Sequence, residues 1–250
     1  MASQSKPGKL SIDGGAPVRD VSMPPRCLFG PAEKQAADRL FDAVIENGGT
    51  FGYNGPEEQA FEKEFAQQMG GGFADGVNSG TNAVFAALGA LQLDSAAEVV
   101  VPPITDCGGA MPVAALNLVP VPADSAPLSH NMGPEQLEAA ITPRTRAVVV
   151  AHIGGVPADM RGVMEVARRH DLAVVEDCAQ AHGACLDGHP AGTFGDISAF
   201  STMGGKHIAT ADQGGVVFSR NEELIWRCKR FADRGKPFNL NSDGNVVCGL

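Results

Sequence analysis

Three short segments carry side chains whose types and spacing suit chemistry. In LAVVEDCAQAHGA (172–184), an aliphatic run ends in Glu176 and Asp177. Successive strand residues point to opposite faces, so these two carboxylates cannot act as a pair on one substrate. One of them must point into the space beyond the strand. There it caps a helix, forms a structural salt bridge, or holds a cation. In VNSGTNAVFAAL (77–88), a short strand runs into Ser79, Gly80 and Thr81, and a helix begins. The free N–H groups and the dipole of that helix favour an anion, Ser79 and Thr81 add hydroxyl donors, and Gly80 admits a ligand to the backbone. A helix cap without any ligand uses the same residues. In FSTMGGKHIATADQGGVV (200–217), Lys206 lies five residues after Ser201, among small residues. A desolvated lysine loses its proton more readily and becomes a nucleophile toward carbonyls. Taken alone, this lysine is first of all a solvated loop residue.

The elements that would position these residues can be read from periodicity. Residues 1–30 carry prolines and no clear period, and read as an arm over the surface. Apolar residues at helical spacing predict a helix from Pro31 to about Asn47, ended by Gly48 and Gly49. A second helix follows Pro56. From there short aliphatic strands alternate with helices: FADGV, AEVVVPP, NLVPVPAD, TRAVVVAHI, DLAVVEDCA, GDISAFS and GGVVFS are the strands. The helices between and after them include NSGTNAVFAALGAL, ITDCGGAMPVAAL, MGPEQLEAAI, DMRGVMEVARRH and NEELIWRCKRFADRG. This alternation predicts an α/β fold over residues 31–250, three-layered, with a mostly parallel central sheet. Ligands of such sheets bind beyond the carboxyl ends of the strands. The anion cradle, the carboxylate and the lysine all fall at strand ends. Pyridoxal phosphate demands this set: a helix N-terminus for its phosphate, a carboxylate for its ring nitrogen and a lysine for its aldehyde.

Composition narrows the alternatives. The chain has 250 residues and a formal net charge of −10, which disfavours nucleic acid and anionic membrane surfaces. No apolar run reaches the roughly 18 residues of a membrane span, and MASQSKPGKL lacks the pattern of a secretory signal. The six cysteines (27, 107, 178, 185, 228 and 248) form no CxxC pair, so neither a metal site nor a disulfide framework is expected. Reduced thiols fit a cytoplasmic protein.

The sequence resembles the DegT/DnrJ/EryC1/StrS family of PLP-dependent sugar aminotransferases, of fold type I, over roughly residues 10–250. The segments FGYNGPEEQAFEKEFA, NSGTNAVFAAL, VVVAHIGGVPADMRGVMEVARRHDLAVVEDCAQAHGA and FSTMGGKHIATADQGGVVFS carry the resemblance. It implies that Lys206 takes the cofactor's aldehyde and then shuttles a proton between Cα and C4′. Asp177 would pair with the ring nitrogen, and Gln180 would lie beside the ring and its 3-hydroxyl. Ser201, Gly80 and Thr81 would bind the phosphate. His182 would stand behind the site as a packed histidine. The sequence departs from the family in three places. Asp106 stands where an aromatic residue usually stacks on the ring. The loop after the lysine is one residue longer, so counting back from Gly214 and Gly215 puts His207 at the lysine position, while counting forward from Ser201 gives Lys206. The forward count is adopted. The chain also ends at NVVCGL, where relatives continue into a smaller C-terminal domain, so a large-domain portion is expected.

The resemblance implies an aminotransferase that moves an amino group from glutamate or glutamine to a keto-sugar, often nucleotide-linked. It also implies a homodimer in which the loop at 234–245 reaches the neighbour's phosphate region. Two alternatives stay open at this point: a PLP-dependent deoxysugar dehydratase or lyase on the same fold, suggested by His207 and Asp106, and a truncated homologue without turnover.

Overall fold

Aliphatic runs at 99–101, 147–151 and 173–175 leave no polar face, so the strands they form must be covered on both sides. The computed structural model describes residues 8–23, 29–52 and 54–236. The chain divides between Thr50 and Phe51 into two compact units. In the first, a 3₁₀ turn spans Ser11–Asp13 and helix α1 spans Pro31–Asn47. Pro31 sits in the first turn, where its missing N–H would have had no partner, and the Glu33 carboxylate accepts the Gly30 N–H at 2.7 Å.

Among the described residues of the second unit, one sheet has seven strands. They are β1 (Phe73–Val77), β2 (Glu98–Val101), β3 (Val119–Pro122), β4 (Thr145–Ala151), β5 (Ala173–Asp177), β8 (Ile197–Ser201) and β9 (Gly215–Ser219). A small hairpin, β6 (Cys185–Leu186) and β7 (His189–Pro190), stands apart from it. The sheet order is β1-β9-β8-β5-β4-β2-β3. Strands β3, β2, β4, β5 and β8 are parallel, and β9 runs against both of its neighbours. The helices are α2 (Pro56–Gln68), α3 (Gly80–Ala90), α4 (Met111–Ala115), α5 (Pro134–Ala140), α6 (Met160–Arg169) and α7 (Glu222–Ala232). This is the three-layer α/β fold with a mostly parallel sheet that the sequence predicts.

Strand alternation splits the core. Val99, Val149, Val175, Ile197, Ala199 and Val217 pack with α3, α4 and α7. Val100, Val148, Val150 and Val174 pack on the other side with α5 and α6. Phe200, Val216 and Phe218, also on that second side, meet Phe65 and Ala66 of α2. Each fully buried valine contributes roughly 1.5–3 kcal/mol relative to exposure. Side-chain caps set the helix starts: Ser79 accepts the Asn82 N–H at 3.1 Å, Asp159 that of Gly162 at 3.1 Å and Asn221 that of Leu224 at 3.3 Å.

The single helix expected within 104–116 is not formed. A 3₁₀ turn at Cys107–Gly109 precedes α4, because Gly108 and Gly109 weaken a helix and Pro112 fits only the start of one. Edge strand β3 donates the N–H groups of Val119 and Ala123 toward β2, to Ala97 O (2.9 Å) and Val101 O (3.1 Å). Pro120 and Pro122 therefore occupy the alternate positions, whose nitrogens face away from the sheet.

A buried charge cluster ties the β1 edge to α2 and α7. Asp75 of β1 is 3% exposed. Lys229 Nζ lies 3.1 Å from Asp75 Oδ1 and 3.1 Å from Glu62 Oε1, which also accepts the Gly76 N–H at 3.1 Å. Burial pushes the Asp75 carboxyl up to about 7; Lys229 opposes this, and Glu62 and Glu58 add to it. Burial works to discharge Lys229, but Asp75 and Glu62 outweigh it and hold its pKa above the ordinary lysine value.

Asp75 starts from a value of 3.8, so the folded chain binds its proton more tightly than the unfolded one. Its protonation stabilises the fold fully below that value, and the effect fades as pH rises through about 7. Between pH 5 and pH 8 the wild type is expected to lose on the order of 2–3 kcal/mol through this group. Asp75→Asn cannot ionise, and its stability should fall less over the same span. Urea unfolding of both chains at the two pH values measures the difference; parallel losses would refute it.

Candidate active site at the carboxyl ends of β5 and β8

Strand β5 presents its two terminal carboxylates to opposite faces, as its two-residue period requires. Glu176 falls on the α5–α6 side and is completely buried. Its Oε1 accepts the N–H groups of Phe194 (2.8 Å) and Gly195 (2.7 Å), and its Oε2 accepts that of Gly192 (2.8 Å). His152 Nε2 lies 3.0 Å from the same Oε2. Because His152 Nδ1 accepts the Ala158 N–H at 3.1 Å, the ring proton sits on Nε2 and is donated to Glu176. Glu176 is thus a structural carboxylate with every lone pair engaged.

Asp177 falls on the α3 side and is 8% exposed. Its Oδ1 accepts the Ala179 N–H at 3.0 Å. Burial raises its pKa above the ordinary value; the Ala179 hydrogen bond and the Lys206 charge pull it down, and Asp106 adds to the rise. A cationic partner would therefore be bound strongly there. Gly109 comes close to this carboxylate: a Cβ on it would meet Asp177 Oδ2 at 2.9 Å and Thr105 Oγ1 at 2.5 Å.

Two of the remaining expected residues meet beside it. A Cβ on Gly80 would lie 2.6 Å from Ser201 Cβ and 3.0 Å from its Oγ. The N-terminus of α3 and the end of β8 are therefore in contact, and their donors share one spot suited to an anion. Thr81 flanks it, its Oγ1 lying 2.4 Å from where a Gly108 Cβ would stand. Asp106, exposed, caps the 3₁₀ turn by accepting the Gly108 N–H at 2.9 Å.

Lys206 is half-buried in the loop between β8 and β9, and its charge acts on Asp177. His207 is exposed, its ring centroid 6.4 Å from that of His182. The loop closes on Thr202, which donates its N–H to Gly214 O (2.8 Å), accepts that of Thr210 (2.9 Å) and pairs hydroxyls with Thr210 at 2.6 Å. Gln180 holds the turn after β4, its Oε1 accepting the Gly154 N–H at 2.8 Å. His182 Nε2 lies 2.7 Å from Ser201 O.

Sequence reading missed His152 and Asn131. Asn131 Oδ1 accepts the Ile153 N–H (2.9 Å) and its Nδ2 donates to Val156 O (2.8 Å), fixing the turn that Gln180 touches. Glu176, for His152, and Ile153 and Val156, for Asn131, lie more than twenty positions away, so no periodicity marks them. A cleft of about 400 Å³ lies elsewhere, lined by Asp75, Asn78, Asn82, Phe85 and Lys229, and neither Asp177 nor Lys206 is on its walls. Among the described residues, Cys107, Cys178, Cys185 and Cys228 are free thiols, and no helix is long and apolar enough to cross a membrane.

Comparison with known proteins gives concordant matches. The model of the DegT/DnrJ/EryC1/StrS aminotransferase family matches residues 32–246. The chain is 34% identical over 235 residues to an L-glutamine:2-deoxy-scyllo-inosose aminotransferase of Micromonospora echinospora, covering 92% of this chain and 54% of that protein. It is 40% identical over 181 residues to a dTDP-3-amino-3,4,6-trideoxy-alpha-D-glucose transaminase of Streptomyces venezuelae, covering 72% of this chain and 48% of that one. Among solved structures it is similar to ntda of Bacillus subtilis with bound cofactor PMP (TM-score 0.78, 27% identity, covering 90% of this chain and 51% of that one). The chain spans about half the length of the curated relatives it matches.

The two neighbouring carboxylates should respond oppositely to loss of charge. Glu176→Gln places an amide NH₂ against backbone donors and is expected to cost roughly 2–4 kcal/mol of stability. Asp177→Asn removes a charge that burial disfavours, so stability at pH 7.5 should stay level or rise. Denaturant unfolding of the two variants checks this; a larger loss in Asp177→Asn would refute the assignment of roles.

Proposed function

Because the chain belongs to the DegT/DnrJ/EryC1/StrS aminotransferase family, we propose that it is the cofactor-binding part of a PLP-dependent aminotransferase. Its reaction moves an amino group from glutamate or glutamine to the keto group of a sugar or cyclitol, free or nucleotide-linked. Residues 31–250 are assigned to the PLP-binding large domain and residues 1–30 to an arm. The observation that carries this reading is the placing, on one face of the sheet, of the buried Asp177 and the Gly80–Ser201 contact, with Lys206 half-buried in the loop that leaves Ser201.

The residues fit the cofactor by their own chemistry. Ser201, Thr81 and the N–H groups that open α3 would hold its phosphate. Asp177, in a setting where a carboxylate gains most from a cation, would hold the protonated ring nitrogen. Gln180, its Oε1 already committed to Gly154, would turn its amide Nε2 to the ring oxygen. Lys206 would hold the cofactor through Nζ and, once released, move the proton at the donor's Cα. Bound there, PLP supplies an aldehyde to carry the amino group and a protonated ring to accept electrons. Asp106 would face the substrate with its outward oxygen.

The names of the relatives support a polyhydroxylated acceptor, and one of them supports glutamine as donor. Lys206 is half-buried in the loop that leaves β8 whereas His207 is exposed, which favours amino transfer over the dehydratase reading. A homodimer is part of the proposal. Of the loop at 234–245, assigned to the neighbour's phosphate region, residues 237–245 lie outside the described residues.

Adding PLP to the purified chain is expected to give a visible absorption band that glutamine or glutamate bleaches. Lys206→Ala should abolish the band, and His207→Ala should retain it. A wild-type chain without a band overturns the proposal, and loss of the band in His207→Ala alone moves the lysine's role to the neighbouring residue.

A further inference from the structure

The candidate site is built from two arms of chain. One carries Asp177 and Gln180 beyond β5; the other carries Ser201 and Lys206 beyond β8. Their backbones are joined where the Cys178 N–H donates to Ala199 O at 2.8 Å. Beyond that point β5 has ended and β8 runs on to Ser201 paired with β9, so the ladder no longer fixes the spacing between the two arms. His182 bridges the gap: it belongs to the first arm, and its Nε2 lies 2.7 Å from the backbone oxygen of Ser201 in the second.

We propose that His182 is a positioning residue that fixes the span between the carboxylate arm and the lysine arm of the cofactor site. This rests on the cofactor reading given above. The carbonyl of Ser201 only accepts, so Nε2 must carry the proton, whatever the state of Nδ1. The bond therefore survives protonation of the ring. The ring is half-buried and packs on Phe200, with centroids 5.2 Å apart. Phe200 lies on the α2 side of the sheet, whereas Asp177 and the Gly80–Ser201 contact lie on the α3 side. His182 therefore braces the end of β8 from behind, without occupying the space where the ligand would sit. Burial, the leading cause, lowers its pKa; the hydrogen bond to Ser201 O opposes this, and the titratable groups that face it, His207 and Lys206 of the β8–β9 loop, add to the lowering.

A brace of this kind differs from a packing residue in what its loss changes. His182→Ala is expected to weaken PLP binding about five- to tenfold, the worth of one hydrogen bond at the site. The probe is PLP itself, titrated against the full chain by the visible band, with urea unfolding of the cofactor-free chain in parallel. His182→Gln places an amide donor near the Nε2 position and should restore wild-type affinity to within about twofold. His182→Asn, whose shorter amide falls near Nδ1, should bind as weakly as the alanine variant. If His182→Ala does not fold, the Gln and Asn variants still decide. Equal PLP affinity in those two, or wild-type affinity in His182→Ala, overturns the brace alone. A wild-type chain that gives no band overturns the cofactor reading, and this proposal with it.

Discussion

The Glu176 carboxylate accepts three backbone N–H groups and the proton of a buried histidine. The rest of the site depends on this arrangement. By binding residues 192–195 and His152 beneath the sheet, Glu176 leaves the end of β5 no freedom to rotate. The strand period then forces the next side chain, Asp177, to the α3 face. There it has a single backbone donor and a burial cost that a cation would relieve. Neighbouring residues of the same charge thus have opposite duties. One is saturated and holds the chain, and the other is under-satisfied and available. Asn131 and Gln180 continue the logic on the β4 side, where side-chain amides hold the turn at 153–156 that the sheet itself cannot reach.

The second ingredient is the absence of side-chain volume. Gly80 lets α3 begin against Ser201, and Gly109 lets the 3₁₀ turn lie against Asp177. An alanine at either place would have to push apart groups whose closeness defines the site. Donors from a helix start, a strand end and a loop can therefore converge without any of them reaching far. Short side chains on rigid elements hold their geometry better than long ones on loops.

Much of this was legible in the sequence because it is local. The aliphatic run before Glu176 and Asp177, the Ser79 cap and the lysine five residues after a strand end each lie within one element and its border. The same holds for the alternation that predicts the α/β fold. What could not be read depends on distant partners. Glu176 looks like Asp177 until His152 and the turn at 192–195 are seen beneath it. Lys229 reads as one more basic residue on a helix until Asp75 and Glu62 close around it. The 104–116 segment has helical apolar spacing, yet Gly108, Gly109 and Pro112 divide it. The β6–β7 hairpin has two-residue strands, too short to show a period.

One of the two outer strands, β3, has a consequence for how the sheet meets other chains. An exposed strand edge invites a second chain to dock along it, because alternate N–H and C=O groups stand ready to pair. On β3 the positions that would offer outward N–H groups are Pro120 and Pro122. That border can accept hydrogen bonds but cannot donate them, and the rings stand where an incoming backbone would lie. A newly made chain whose sheet has already reached β3 therefore has a finished margin, resistant to the runaway strand addition that begins amyloid.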